Sequence, residues 1–479
     1  MLFGTPLFLL GFLPLTLVSF AVSARVWGGD AALALLLAAS FIFYGFGNAA
    51  DCLLLAASIL GNWWLLPKVA RRPWYIAGIV GNLALLGLFK YGGMIARSAD
   101  LPAPPVTLPL GISFFTFQQL MVLRDARVAP PRRTALGFLT YANGVAFFAH
   151  LLAGPLVRPS EIMPQIARAP QAALQAEDSA EGLTRILLGL AKKLVLADSF
   201  APLADRGFDA AAHGLPLTLL EAWVALLAFA LQIYFDFSGY ADIAIGLARL
   251  FGVRFPENFD SPYKAATIRD FWRRWNMTLS RFLRDFLYIP LGGNRHGEAR
   301  RMANLMLTML LGGLWHGAGW RFLLWGGLHG FYLIIHHLWD RAALCRLPRV
   351  AAQAVTLIAV LLAWVPFRAP DMATTIAMLR GLAGLNGLAL PAALIALLPP
   401  LGRLARAVPV LPGLGDARTL SLPEAAALLT LGWIIVLALP NTAQASARWR
   451  SASLLAGGGF MVQALLFAGA ALPFLYFRF

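Results

Sequence analysis

The chain alternates long apolar runs with short polar breaks. Apolar segments near 3–22, 30–48, 51–67 and 74–96 follow one another through brief loops. Runs of about 20 apolar residues suffice to cross a bilayer as helices, so the pattern predicts an all-α, polytopic membrane protein. "LPLGISFFTFQQLMVL" is shorter and carries Gln118 and Gln119, which predicts a tilted or part-inserted helix. Residues 134–157 read as another span, closed by the proline-broken "AGPLVRPSEIMPQI". Further spans are predicted near 216–235, 303–316, 320–338, 352–367, 386–402, 423–440 and 453–476. The total is about eleven.

Two stretches depart from this rhythm. In "AEDSAEGLTRILLGLAKKLVLADSF" the apolar residues recur at helical spacing, with Arg185, Lys192 and Lys193 on other positions. That predicts a helix lying along the membrane surface. Residues 249–301 hold 11 Lys/Arg and five Asp/Glu among Phe, Trp and Tyr. They are too polar to span and too apolar for a free loop, so interfacial or re-entrant helices are expected.

Composition agrees. Charged residues make up 13% of the 479, about half the share of a soluble domain, and no polar block is long enough to fold separately. One membrane domain is expected, with N-terminal helices at 1–105, a core at 106–345 and C-terminal helices at 346–479. The first basic residue, Arg25, follows the first apolar run. A signal peptide carries its charge in front, so a retained helix with an external N-terminus is expected. Lys68, Arg71 and Arg72 then mark a cytoplasmic loop. Most of the net charge of +16 follows from such loops and gives no reason to invoke nucleic acid. Cys52 and Cys345 form no disulfide framework or metal motif. The chain shows no internal repeat, which counts against an inverted-repeat transporter.

Polar groups at membrane depth are costly and mark candidate sites. "LQIYFDFSGYADIAIG" supplies Gln232, Asp236, Tyr240 and Asp242. The two carboxylates stand six apart, about 600° around a helix, so they do not form an acid/base pair. They are expected to pair with arginines of the next segment. "DFWRRWNMTLSRFLRDFLYIPLGGNRHG" supplies Arg273 and Arg274 between tryptophans, either an anion grip or interfacial anchors, and the buried amide of Asn276. "LGGLWHGAGW" supplies His316 beside Trp315 and Gly317. A neutral imidazole there can act as a general base or be a hydrogen-bonded structural residue. The nearby glycines would admit a ligand or another backbone. His329, 13 residues on, would face away from His316 on one continuous helix. His329 and His336 share a face, with no carboxylate or cysteine to complete a metal site.

In these motifs, with "PLGISFFTFQQ", "GLAKKLVLADSFAPL", "LFGVRFPENFDSPY", "GLWHGAGWRFLLWGGLHG" and the terminal "PFLYFRF", the chain resembles the membrane-bound O-acyltransferase family, in particular its bacterial alginate O-acetyltransferase branch. The resemblance implies that family's fold, with re-entrant and interfacial helices around a central tunnel in a bacterial inner membrane. It implies transfer of acetyl from cytoplasmic acetyl-CoA, with no bound cofactor, for O-acetylation of an exported alginate- or cellulose-like polysaccharide. A periplasmic partner with a serine-hydrolase-like (SGNH) fold is implied for the final step. His316 falls on the family's catalytic histidine. Asn276 falls on its second polar position, where close bacterial relatives usually carry histidine; asparagine there would orient or stabilise. Trp315, Gly317, Arg273, Arg274, Gln232, Asp236 and Tyr240 are the expected substrate-binding residues. Two alternatives stay open: D-alanyl transfer from a carrier protein to teichoic acid, and a transporter or flippase with His316 as proton relay.

Overall fold

The computed structural model describes the chain except residues 103–107, 129–136, 343–346, 392–394, 396–405, 409–421, 449–457, 460–473 and 476–479. Cys345, most of the terminal "PFLYFRF" and most of the expected span 453–476 lie outside the described residues. The described chain is helical almost throughout. In order, the helices are α1 (Leu13–Val26, with a π-helical lead-in Leu7–Phe12), α2 (Gly29–Gly45), α3 (Ala49–Leu65) and α4 (Arg72–Ser98). Next come α5 (Ile112–Val128), α6 (Phe138–Ala146), α7 (Phe148–Leu151), α8 (Pro159–Ala172) and α9 (Ala176–Leu190). A π-helical stretch, Ala191–Ala197, leads into α10 (Asp198–Ala212) and the 32-residue α11 (Leu219–Leu250). The rest are α12 (Ile268–Arg274), α13 (Met277–Leu283), α14 (Gly297–His316), α15 (Trp320–Arg341), α16 (Arg349–Arg368), α17 (Met372–Leu382), α18 (Leu422–Ala438) and α19 (Thr442–Arg448).

Among the described residues, five helical segments combine the length and composition to cross a membrane: Leu7–Val26, Ala49–Lys68, Arg72–Ala96, Leu219–Leu250 and Arg349–Arg368. Their outer faces confirm the solvent they were built for. On α1 and its lead-in, Leu10, Leu15 and Val18 are exposed while Phe8, Leu13 and Phe20 are buried. Exposed apolar area on this scale suits lipid contact. Helix starts follow local chemistry: the side chains of Asn48, Thr267 and Asp371 cap α3, α12 and α17 by accepting backbone N–H bonds, which satisfies donors a first turn leaves open.

Two expected spans come out differently. Residues 134–157 do not form one helix; Phe147 (φ −53°, ψ 117°) separates α6 from the short α7. The break sits in a cluster of rings, Phe147 against Phe148, His150, Phe251 and Phe255, and burial of these side chains outweighs helix continuity. The start of the expected span 386–402 is extended, since Ala389–Pro391 pairs in parallel with Arg406–Val408. Gly384 (φ 72°) and Gly387 (φ 82°) adopt left-handed conformations just before it and end α17 cleanly.

The chain groups into two compact units. The first comprises Met1–Ala191, Ser238–Asn258 and Thr442–Arg478; the second comprises Lys192–Phe237 and Phe259–Asn441, with Phe479. In the first unit, Asn62 of α3 and Asn82 of α4 exchange reciprocal amide hydrogen bonds at 3.2 and 2.8 Å, the polar link expected between helices in lipid. Arg185 of α9 points into the fold rather than out from a polar face. It is buried and bonds Glu181 (3.0 Å), Asp242 (3.2 Å) and Glu257 (2.6 Å). Thr442 also donates to Asp242 (2.8 Å) and Ser446 to Glu181 (2.9 Å). Three carboxylates make burial of this arginine more favourable than snorkelling to the interface. Burial would raise the carboxyl of Glu181, but hydrogen bonds from Arg185 and Ser446 and the charges of Arg185 and Arg249 hold it below the usual range.

Candidate functional site

All but one of the expected site residues fall in the second unit, and its organising feature is the hairpin of α14 and α15. Gly317 and Gly319, both in extended conformation, separate the two helices. His316 therefore ends α14 and His329 lies within α15. The glycines serve the hairpin itself. A Cβ on Gly313 would strike the backbone of Phe322 and Gly326, and one on Gly317 would overlap the Phe322 ring. The room expected for a ligand at these two positions is thus occupied by the partner helix.

This break, where the expected spans 303–316 and 320–338 part, removes the continuous helix on which His316 and His329 would face away from each other. The two imidazoles flank the same indole: Trp325 lies 4.8 Å from His316 at 80° and 4.8 Å from His329 at 68°. His316 also meets Trp315 at 4.7 Å and Phe367 at 5.1 Å. The edge-to-face angles match the preference of quadrupolar rings. His329 is fully buried, lies parallel to Phe271 and accepts a hydrogen bond at Nδ1 from Trp272 Nε1 (3.3 Å). A neutral ring accepting at Nδ1 carries its proton on Nε2, and Nε2 has no acceptor among the described residues.

Asn276 lies between α12 and α13 in the left-handed region, φ 41° and ψ 56°. Asparagine tolerates that conformation better than most residues. Its side chain is buried and makes no hydrogen bond to a described residue, so nothing ties it directly to His316. Aromatic rings bridge the interval instead: Trp275 meets Trp364 (5.0 Å), Trp364 meets Trp325 (6.2 Å), and Trp325 meets His316. Trp364 donates to the Tyr263 hydroxyl (3.2 Å), which donates to the Ala230 carbonyl of α11 (2.8 Å).

The remaining residues separate. Arg274 bonds Asp270 (2.9 Å) and contacts Asp260 (3.6 Å), whereas Arg273 is exposed. Of the two, Arg273 keeps its guanidinium available to an anion. Asp236 pairs with Lys193 (2.7 Å), which also holds Asp198 (2.8 Å); Asp242 pairs with Arg185. The expectation that both aspartates pair with arginines of the following segment is therefore incorrect. Their cations come from the preceding amphipathic stretch, because α9 and its π-helical continuation pack along α11. Gln232 is buried with Oε1 lacking a partner among the described residues. Tyr240 belongs to the first unit, where it packs on Phe3 (4.9 Å) and Phe474 (4.5 Å). The sequence reading missed Trp325, Phe367 and Trp364, the walls of the His316 environment. The break at 317–319 was already implied by the expected spans; the packing of α15 and α16 side chains onto His316 was not.

Comparison with known proteins agrees with the architecture. The signature of the family described as MBOAT, membrane-bound O-acyltransferase family, matches residues 57–367. A peptidoglycan O-acetyltransferase of Helicobacter pylori is 40% identical over 438 residues, 81% of each chain. A probable alginate O-acetylase AlgI of Pseudomonas aeruginosa is 37% identical over 390 residues, 78% of this chain and 73% of that one. A teichoic acid D-alanyltransferase of Streptococcus thermophilus is 28% identical over 242 residues, 48% of this chain and 57% of its own.

Proposed function

Since this chain belongs to the membrane-bound O-acyltransferase family, we propose that it transfers acetyl groups from cytoplasmic acetyl-CoA towards a glycan of the cell envelope or an exported polysaccharide. Two relatives named for O-acetyl transfer, one to peptidoglycan and one to alginate, support acetyl as the acyl group. The D-alanyl reading rests on a match to about half of this chain. The observation that carries the mechanism is the setting of His316: a buried imidazole at the end of α14, walled by Trp315, Trp325 and Phe367.

In this mechanism the acceptor hydroxyl approaches His316, whose unprotonated ring nitrogen removes the proton as the oxygen attacks the thioester carbonyl. The CoA thiolate leaves and takes up a proton. The same nitrogen could instead receive the acetyl group and pass it on, which splits one difficult step into two. The aromatic walls exclude water and protect the thioester from hydrolysis. Arg273, exposed at the end of α12, is the cation available for the donor's phosphates. Asn276 is held in its left-handed turn by backbone geometry, leaving its carboxamide free to bond a carbonyl oxygen. The N-terminus lies on the outer side of a bacterial inner membrane, and a periplasmic partner with a serine-hydrolase-like fold completes transfer to the polymer.

The deciding experiment incubates the purified protein with radiolabelled acetyl-CoA and reads thioester cleavage and protein-bound label. The reading expects cleavage that depends on His316. Equal cleavage by His316→Ala, or acyl transfer only from an aminoacylated carrier protein, overturns it.

A further inference from the structure

A cavity in the same unit, with His316 outside its lining, lies between α15 and α16 and has a volume of about 1160 Å³. Its lining is sorted along its length. At one end stand His336 and Asp340 near the close of α15, Arg349 at the first residue of α16, and Thr267 before α12. Arg269 of α12 bonds Asp340 at that end (3.2 Å), and His336 contacts the same carboxylate (3.5 Å). Away from it the walls are mainly apolar, with Ile335, Ala352, Val355 and Ala359 beside Tyr332 and Thr356. The ten residues from Arg349 to Ala359 rise about 15 Å, half of the roughly 30 Å hydrocarbon core. The groove is therefore one leaflet deep.

Charge gives the polar end its preference. Asp340 offsets one cation, and Arg349 is exposed and makes no ion pair with a described residue. The arginine at the other end of α16 is engaged: Arg368 bonds Asp205 (2.5 Å). Val350 and Val355, beside and within the groove, are exposed on a helix apolar enough to span the bilayer, so the groove opens towards lipid.

We propose that this groove is a binding site for one anionic phospholipid of the leaflet on the Arg349 side. The phosphate lies between Arg349 and Arg269, and an acyl chain runs down to Ala359. The acyl-transfer site is separate, and the lipid site stands whether or not His316 is catalytic.

The test places the full-length protein in phosphatidylcholine nanodiscs carrying a small fraction of a lipid with a photoreactive acyl chain. The headgroup is either phosphatidylglycerol or phosphatidylcholine, and crosslinks are mapped by mass spectrometry. Crosslinks are expected on the α15 and α16 peptides, with the anionic probe favoured about fivefold for each arginine engaged. Arg349→Gln and Arg269→Gln should each reduce that preference, and together remove it. Ala359→Trp should block labelling by either probe; if it does not fold, the two arginine variants on the polar rim carry the test. Equal labelling by the two headgroups, a preference that survives the double arginine variant, or displacement of the anionic probe by millimolar inorganic phosphate overturns the proposal. The last outcome would identify a site for a soluble phosphate ester.

Discussion

Two regions of the molecule, the Arg185 network and the aromatic setting of His316 and His329, treat buried ionisable groups in opposite ways. In the first, the guanidinium of Arg185 is met by three carboxylates, and two of those are bonded further by Thr442 and Ser446. In the second, two imidazoles are set against indole and phenyl rings, with a tryptophan shared between them. A saturated charge network resists change, because removing a partner strands a buried charge. An imidazole among rings is enclosed without a counter-charge beside it. The contrast separates a region that holds structure from one able to react.

The largest effect should come from the reactive side. His316→Ala should lower acetyl transfer by about 10²–10⁴-fold, the usual contribution of a general base. Detergent-solubilised protein should elute and unfold as the parent does. Arg185→Met tests the other half of the contrast. Leaving Glu181 and Asp242 buried without their cation should destabilise the protein by about 3–5 kcal/mol, read as a loss of thermal stability or of recoverable folded protein. A variant that unfolds like the parent would deny the network its structural role.

Smaller effects refine the boundary. Trp272→Phe keeps an aromatic ring but removes the hydrogen bond to His329 together with part of the indole, and should cost at least about 0.5–1.5 kcal/mol in unfolding measurements. Acid should weaken the Arg185 network. Glu181 is held below its ordinary range in the folded state, so its contribution is present above the unfolded value and is lost as pH falls through the folded one. Glu181→Gln should flatten the acid limb of a stability–pH profile; an unchanged limb would assign acid sensitivity elsewhere.

Much of this was legible in the sequence, for identifiable reasons. Apolar runs and helix caps act within a few residues, so α1, α3, α4 and α16 could be read from periodicity and length, whereas α11, expected to end at 235, runs on to Leu250. The partners of Asp236 and Asp242 could not. Arg185 reaches Asp242 across 57 residues, and charge composition alone made the arginines after residue 249 equally eligible. His316 stood out as an ionisable group in an apolar run, but its walls depended on where one helix stopped. The break at 317–319 was legible from the spans on either side, but not which side chains of α15 would turn back onto His316. Phe367 comes from α16, far along the chain, and no local signal announces it.

The tight seam between α14 and α15 has a mechanical consequence. With no side chain at Gly313 or Gly326 to hold the helices apart, the hairpin is clamped backbone to backbone and moves as one stiff plank. His316, Trp325 and His329 travel together, and their spacing is a property of the plank rather than of any bound substrate. Such a part can serve as an anvil but is poorly suited to be a gate. Opening and closing during turnover must then come from segments that meet the hairpin through side chains alone.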